Sequence, residues 1–234
     1  MISLDLRPLL ADALELVLPA PCAACRRVDG EGALCRRCAQ ALADPPRHHR
    51  PVPCPPGLPG VWVTAGYEGA AREAIVAHKE RGRRALASPL GRALARAAEA
   101  ALLGMPPGGA VTPIALVPVP SSRRSRRERG DDPLLRITRC AARSLRERGV
   151  PATAAPLLCL VRETRDQAGL AASERHANLR GAMTARRVPA GARLVIVDDV
   201  VTTGATLAEA VRALGPHGRV AVAAIAATRL RRLG

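Results

Sequence analysis

The stretch Leu194 to Leu207 reads LVIVDDVVTTGATL, and no other part of the chain restricts the possible folds so far. Four consecutive apolar residues, Leu194 to Val197, call for a strand buried on both faces, and such strands belong to parallel sheets covered by helices. The run ends in two adjacent carboxylates, Asp198 and Asp199, which are costly to bury without partners. A loop of small residues follows and opens directly into Thr206 to Leu214, an apolar-periodic segment stopped by Gly215 and Pro216. Arg219 to Ala227, apolar from Val220 onward, then completes a unit of strand, helix and strand.

The same alternation runs upstream. Val61 to Tyr67 reads as an entering strand, and Ala70 to His78 and Pro89 to Leu103 read as helices separated by the basic turn Lys79 to Arg84. Ala115 to Pro120 reads as a buried strand, Pro133 to Arg148 as a helix stopped by Gly149, and Leu157 to Val161 as the next short strand. This order predicts one α/β domain over residues 61–234, with a parallel, doubly wound sheet whose ligands sit at the carboxyl ends of its strands. The chain has no Phe, one Trp and one Tyr, so its core must rest on Ala, Leu and Val. Residues 45–60 hold many prolines and no apolar periodicity, which predicts a linker or irregular extension. Residues 1–44 are expected to form a short helix, with the stripe Leu9, Ala13, Leu14, Leu16 and Val17, followed by a small cysteine module.

On an extended segment adjacent side chains point to opposite faces, so one of Asp198 and Asp199 is expected to face a ligand while the other braces the loop. A sugar diol suits a carboxylate, which accepts hydrogen bonds from two hydroxyls. Thr202, Thr203, Gly204, Ala205 and Thr206 bring backbone N–H groups and three hydroxyls to a helix amino terminus, a site for a phosphate dianion. Gly204 permits a left-handed turn or a close approach there. An acid pair followed by such a loop implies ribose beside a 5-phosphate.

Cys22-x2-Cys25 and Cys35-x2-Cys38 provide four thiols within a short hairpin, the donor set of a closed, structural tetrahedral zinc site. A redox pair and plain buried thiols are the alternatives, and neither explains two pairs so close in a segment poor in apolar residues. Cys140 and Cys159 sit inside apolar elements and are expected in the core, while His48 and His49 are expected to be solvated.

The formal net charge of +16, carried almost wholly by Arg, predicts attraction to polyanions without choosing between phosphorylated metabolites and nucleic acid. The apolar start Leu4 to Leu18 is interrupted by Asp5, Arg7, Asp12 and Glu15, which argues against a membrane span or secretory signal and leaves a cytoplasmic location as the expectation. A chain beginning Met1-Ile2-Ser3 also lacks an amino-terminal cysteine nucleophile, so glutamine-dependent amidotransfer is not expected.

LVIVDDVVTTGATL closely resembles the phosphoribosyl-pyrophosphate motif of type I phosphoribosyltransferases. Nearly end to end, the chain is similar to the ComF family of competence-associated proteins, which join a small cysteine module to a phosphoribosyltransferase domain. The matching pieces are the two cysteine pairs, His78-Lys79-Glu80-Arg81-Gly82-Arg83, Leu116 to Gly130 (LVPVPSSRRSRRERG), Arg162-x-Thr164-x2-Gln167, Arg175, Asn178 and Gly181. The resemblance implies a type I phosphoribosyltransferase-like parallel sheet flanked by helices, with an amino-terminal zinc ribbon. It further implies binding of 5-phosphoribosyl-1-pyrophosphate with Mg²⁺, catalytic roles for Asp198 and Asp199 at the ribose, and a 5-phosphate wrapped by Thr202 to Thr206.

Ser121 and Arg123, in the turn after LVPVP, are candidates for the pyrophosphate, and Lys79, the only lysine, is a secondary candidate. Family members commonly carry Arg-Gly-Phe-Asn-Gln, whereas here Arg129-Gly130 is followed by Asp131, Asp132 and Pro133; Met183 stands where Phe is frequent. Transfer of phosphoribosyl to an acceptor is the first functional expectation. A nucleic-acid or competence-machinery accessory role and a non-catalytic phosphoribosyl sensor are the others. The acceptor and the oligomeric state are not legible.

Overall fold

The computed structural model describes residues 21–28, 32–105, 113–121, 131–162, 179–188, 192–215 and 219–228. The helix expected over Leu9 to Val17 lies outside these residues, as do Arg123, Thr164, Gln167, Arg175 and Asn178.

In chain order the elements are α1 (Arg36–Gln40), β1 (Arg47–His49), β2 (Val61–Gly66), α2 (Gly69–Lys79), α3 (Ala87–Leu103), β3 (Ile114–Pro118), α4 (Pro133–Glu147), β4 (Ala152–Ala154), β5 (Leu158–Leu160), β6 (Met183–Ala185), β7 (Arg193–Val201), α5 (Ala205–Leu214) and β8 (Arg219–Ala227). Six strands form one sheet in the order β1, β2, β8, β7, β3, β4. Only β1 runs antiparallel to its neighbour; the other four pairings are parallel.

The centre of this sheet is β7, buried on both sides as its apolar run requires. Val195 and Val197 belong to one core layer with Ile75 of α2, Leu90 and Leu94 of α3 and Ile137 of α4. Leu194 and Ile196 belong to the other, with Leu207 and Leu214 of α5 and Val61 and Val63 of β2. Alternation along one strand thus feeds two layers, which is what places helices on both faces of the sheet.

Two segments depart from the sequence expectation. Leu158–Leu160 does not join the main sheet: it pairs antiparallel with Met183–Ala185 as a separate two-stranded sheet, and the strand beside β3 is Ala152–Ala154. Three small residues at a sheet edge are too short a run to signal a strand, so pairing with β3 defines it. Arg47–His49, within the proline-rich stretch, forms an edge strand on β2, and the His48 ring meets Trp62 edge to face at 5.7 Å between centroids. Tertiary pairing overrides a polar, proline-flanked sequence here.

The β5 and β6 pair is fastened to α5 through Glu209, which is 4% exposed. Its carboxylate accepts from the Met183 N–H (2.9 Å) and from both arms of the Arg212 guanidinium (2.7 Å each), while Arg212 also donates to the Met183 carbonyl (2.7 Å). Burial alone would raise the Glu209 carboxyl, but the Arg212 fork and the N–H groups of Met183 and Gly181 outweigh it and hold the group below its usual value. At the open end of the pair the Val161 N–H donates to the Ala182 carbonyl at 2.9 Å. Met183 is buried, so its side chain serves packing.

The cysteine module continues the core. Cys22, Ala23, Leu34, Cys38 and Leu42 share the layer of α2 and α3, and Arg96 of α3 donates to the carbonyls of Leu42 and Ala43. Cys140 and Cys159 are half-buried, outside the core positions expected for them. Among the described residues no helix is long and apolar enough to cross a membrane.

Without Phe, layers close by bringing backbones together, and α3 and α4 meet where Gly91 leaves room. A Cβ at Gly91 would lie 2.5 Å from the Cys140 Cβ and 3.0 Å from the Ala141 nitrogen. Gly91→Ala should therefore push the helices apart and destabilise the protein by about 1–3 kcal/mol, despite the better helix propensity of Ala, as read by urea denaturation.

Candidate functional site

At the carboxyl end of β7 the chain passes from a fully buried strand to two acids, and the two faces of the strand send them in different directions. Asp199 continues the face of Val195 and Val197 toward α2, where its Oδ2 lies 2.7 Å from the Nζ of Lys79. With Asp199 only 4% exposed, this ion pair supplies the partner that a buried carboxylate requires. Lys79 ends α2, where the helix dipole also favours a cation.

Asp198 continues the opposite face and accepts a hydrogen bond from the Asp199 N–H at 2.8 Å. Burial and the charge of Asp199 push its carboxyl up to about 8, against the pull of Lys79. Both carboxylates border a cavity of about 400 Å³, where only one was expected to face it. Pairing with β3 stops at Val197, so Asp198 extends past the neighbouring strand and its side chain is left at the rim.

Beyond the acids, Gly204 adopts a left-handed conformation (φ 75°) that turns the chain into α5, and its carbonyl receives the Ala208 N–H at 2.9 Å. The Thr203 hydroxyl accepts from the Ala205 N–H at 3.4 Å, inside the loop. Thr202 and Thr206 border the cavity, whereas Thr203, Gly204 and Ala205 shape the loop without lining it. The amino terminus of α5 therefore lies beside the acid pair.

Ser121, at the end of β3, closes the cavity on the other side and donates to Asp132 Oδ1 at 3.3 Å. The same oxygen caps α4 by accepting the Leu135 N–H at 3.1 Å, and Asp131 pairs with Arg136. Asp131 and Asp132 thus both serve the start of α4. Of the residues singled out from the sequence, the structure brings Lys79, Ser121, Asp198, Asp199, Thr202 and Thr206 around one cavity, while Arg123 lies outside the described residues.

Sequence reasoning missed Tyr67, Ile75 and Val76 on the cavity wall. Their signal was present, since Tyr67 is the only Tyr and ends a strand. It also missed the brace beside Lys79. His78 is 1% exposed, and its Nδ1 and Nε2 lie 3.1 and 3.2 Å from the carbonyl oxygens of Arg83 and Pro133. Burial lowers its pKa, opposed by those two carbonyls.

A second cluster lies in the cysteine module. The Sγ atoms of Cys22, Cys25, Cys35 and Cys38 all fall within 4.8 Å of one another, with Cys25 and Cys35 3.6 Å apart. The Cys35 N–H points at the Cys22 Sγ at 3.3 Å. Burial raises the Cys22 thiol, but N–H groups of Cys25, Cys35 and Ala24 more than offset it and bring it to about 6. Cys38 is raised by burial and by the neighbouring thiols. His48 is occupied against Trp62 and His49 is half-buried in β1, so neither joins the cluster.

Residues 142–232 match the family model of the phosphoribosyl transferase domain. No curated protein matches the chain. The matched stretch runs from the second half of α4 through β8 and includes the acid pair, the glycine turn and the amino terminus of α5. Over this stretch the chain is similar to a phosphoribosyl transferase domain.

Proposed function

We propose that the cavity binds 5-phosphoribosyl-1-pyrophosphate as its magnesium complex and that the protein transfers the phosphoribosyl group to an acceptor. The observation carrying this reading is the convergence of Asp198, Asp199, Lys79 and the start of α5 on one cavity. The 5-phosphate meets the loop Thr202 to Thr206, and the ribose hydroxyls meet the acid pair. The bond from the anomeric carbon to pyrophosphate breaks as the acceptor attacks, and positive charge develops on the sugar ring. Asp199 stabilises that charge, joined by Asp198 where it is ionised, and a magnesium ion bound with the donor would supply neutralisation of the pyrophosphate. Ser121 and Arg123 are assigned to the pyrophosphate side.

The cysteine cluster is proposed to hold a structural zinc. A tetrahedron with Zn–S bonds of about 2.3 Å has sulfur–sulfur edges of about 3.8 Å, and the 3.6 Å separation of Cys25 and Cys35 is compatible with it. Four thiolates close the shell, so the ion fixes the module and takes no substrate. The cysteine module, the cavity and the motifs from His78 to Gly181 together support a ComF-like protein. Exposed Arg139, Arg143 and Arg146 on α4 favour a second reading, an accessory protein for nucleic acid.

Calorimetric titration with the magnesium donor separates these readings. Wild type should bind, and Asp198→Asn and Asp199→Asn, with circular dichroism unchanged, should bind at least about tenfold more weakly. Release of pyrophosphate in the presence of acceptor would mark transfer over sensing. Equal affinity in all three proteins would remove the acid pair from the site, and binding to single-stranded DNA that falls steeply with salt would favour the second reading.

The raised Asp198 carboxyl generates a pH dependence. A group lifted from 3.8 to about 8 on folding contributes stability that is complete below pH 3.8 and is lost as pH rises through about 8. Asp198→Asn should therefore gain thermal stability relative to wild type steadily between about pH 4 and pH 8, the window that linkage sets, and level off above it. Parallel melting curves across that range would contradict the burial of this acid.

Elemental analysis should find one zinc per chain (about one equivalent, as four thiolates hold a single ion). Stripping it with a chelator, or Cys22→Ser, should lower the thermal midpoint while the sheet's circular dichroism signal persists below it.

A further inference from the structure

Residues 51–58, inside the stretch that reads as a linker, run across the back of the small-residue loop. A Cβ at Gly204 would lie 2.7 Å from the Cδ2 of Leu58, 3.0 Å from the Cγ of Pro51 and 3.6 Å from the Cδ of Pro55. The Leu58 and Pro51 side chains therefore occupy the space that a side chain at Gly204 would need. Pro51 is buried, and Leu58, 3% exposed, packs in the same layer as Val201, Leu207 and Ala208, which bracket the loop on both sides. The segment is itself held at both ends, by β1 before it and β2 after it, and the Leu58 N–H closes it onto the Pro55 carbonyl at 3.2 Å. None of its residues borders the cavity.

We infer that residues 51–58 are a strap that positions the small-residue loop for the phosphate ester, with Leu58 and Pro51 as positioning residues. The loop Thr202 to Ala205 has no large side chain with which to anchor itself, and Gly204 by nature samples both signs of φ. A site made of backbone N–H groups binds an anion well only if those groups are already aimed at it, because ordering them on binding subtracts from affinity. Leu58 and Pro51 remove that freedom by filling the space on the side of Gly204 away from the cavity. A second steric demand for glycine follows: even in a residue tolerant of a left-handed φ, a Cβ at this position would force the Leu58 and Pro51 side chains to shift.

The inference rests on the reading of the loop as a phosphate site, and ribose 5-phosphate is the probe that tests both. Its affinity is measured by calorimetry for wild type, Leu58→Ala, Leu58→Met and Leu145→Ala. Leu145 is fully buried in α4 in the other core layer, so its truncation matches the loss of packing without touching the loop. Leu58→Val replaces Leu58→Ala should the latter not fold.

The expected result is an affinity about five- to tenfold lower for Leu58→Ala, largely restored in Leu58→Met, which keeps the volume, and unchanged within about twofold in Leu145→Ala. Unchanged affinity in Leu58→Ala, with wild type binding normally, overturns the strap alone. Equal weakening in Leu58→Ala and Leu145→Ala also overturns it, since general destabilisation would then account for the effect. Failure of wild type to bind ribose 5-phosphate overturns the phosphate reading and the strap with it.

Discussion

The pairing of Lys79 with Asp199 joins elements that are far apart in the chain and lets the central strand end in charge. Both faces of β7 are dry up to Val197, and the next inward-facing group on the α2 side is a carboxylate with almost no contact with water. A partner 2.7 Å away makes this tolerable, and it is the end of α2 that supplies it. The position of α2 on the sheet, the depth of the cavity floor and the direction of Asp199 are consequently set together. His78, one residue earlier, ties the same helix end to the carbonyls of Arg83 and Pro133, so the cation is held by a helix terminus that is itself braced from two sides.

Around this point the protein packs with an unusually small set of side chains. With no Phe, contact between layers comes from alanine-rich faces and from glycine at the α3 and α4 crossing. Such packing leaves little slack: where backbones touch nearly directly, an added methyl has no side chain to displace. Gly91 admits a helix in this way, whereas at Gly204 the space is taken by the Leu58 and Pro51 side chains.

The sheet's central strands and their helices were legible because each element is long and its pattern unmixed: β7, β8, α3 and α4 differ from expectation by no more than two residues at any end. The acid pair and the loop were legible from their conjunction alone. What escaped detection has no periodic signal. Ala152–Ala154 is too short and its side chains too small to stand out as a strand, Arg47–His49 is polar and becomes a strand only through β2, and Leu158–Leu160 reads as a core strand although it pairs elsewhere. Tyr67, Ile75 and Val76 reach the cavity from an element assigned only to packing, and the strap's contact with Gly204 spans about 150 residues of sequence, a separation at which local pattern is silent.

The hairpin of β5 and β6 has a topological consequence. The chain departs after Leu160 and returns before Met183 through one point, sealed by the Val161 to Ala182 hydrogen bond, and the return strand is riveted to α5 by Glu209 and Arg212. Exit and return therefore share one tether, and a displacement of the return strand is passed through Glu209 and Arg212 to α5, whose first turn borders the cavity.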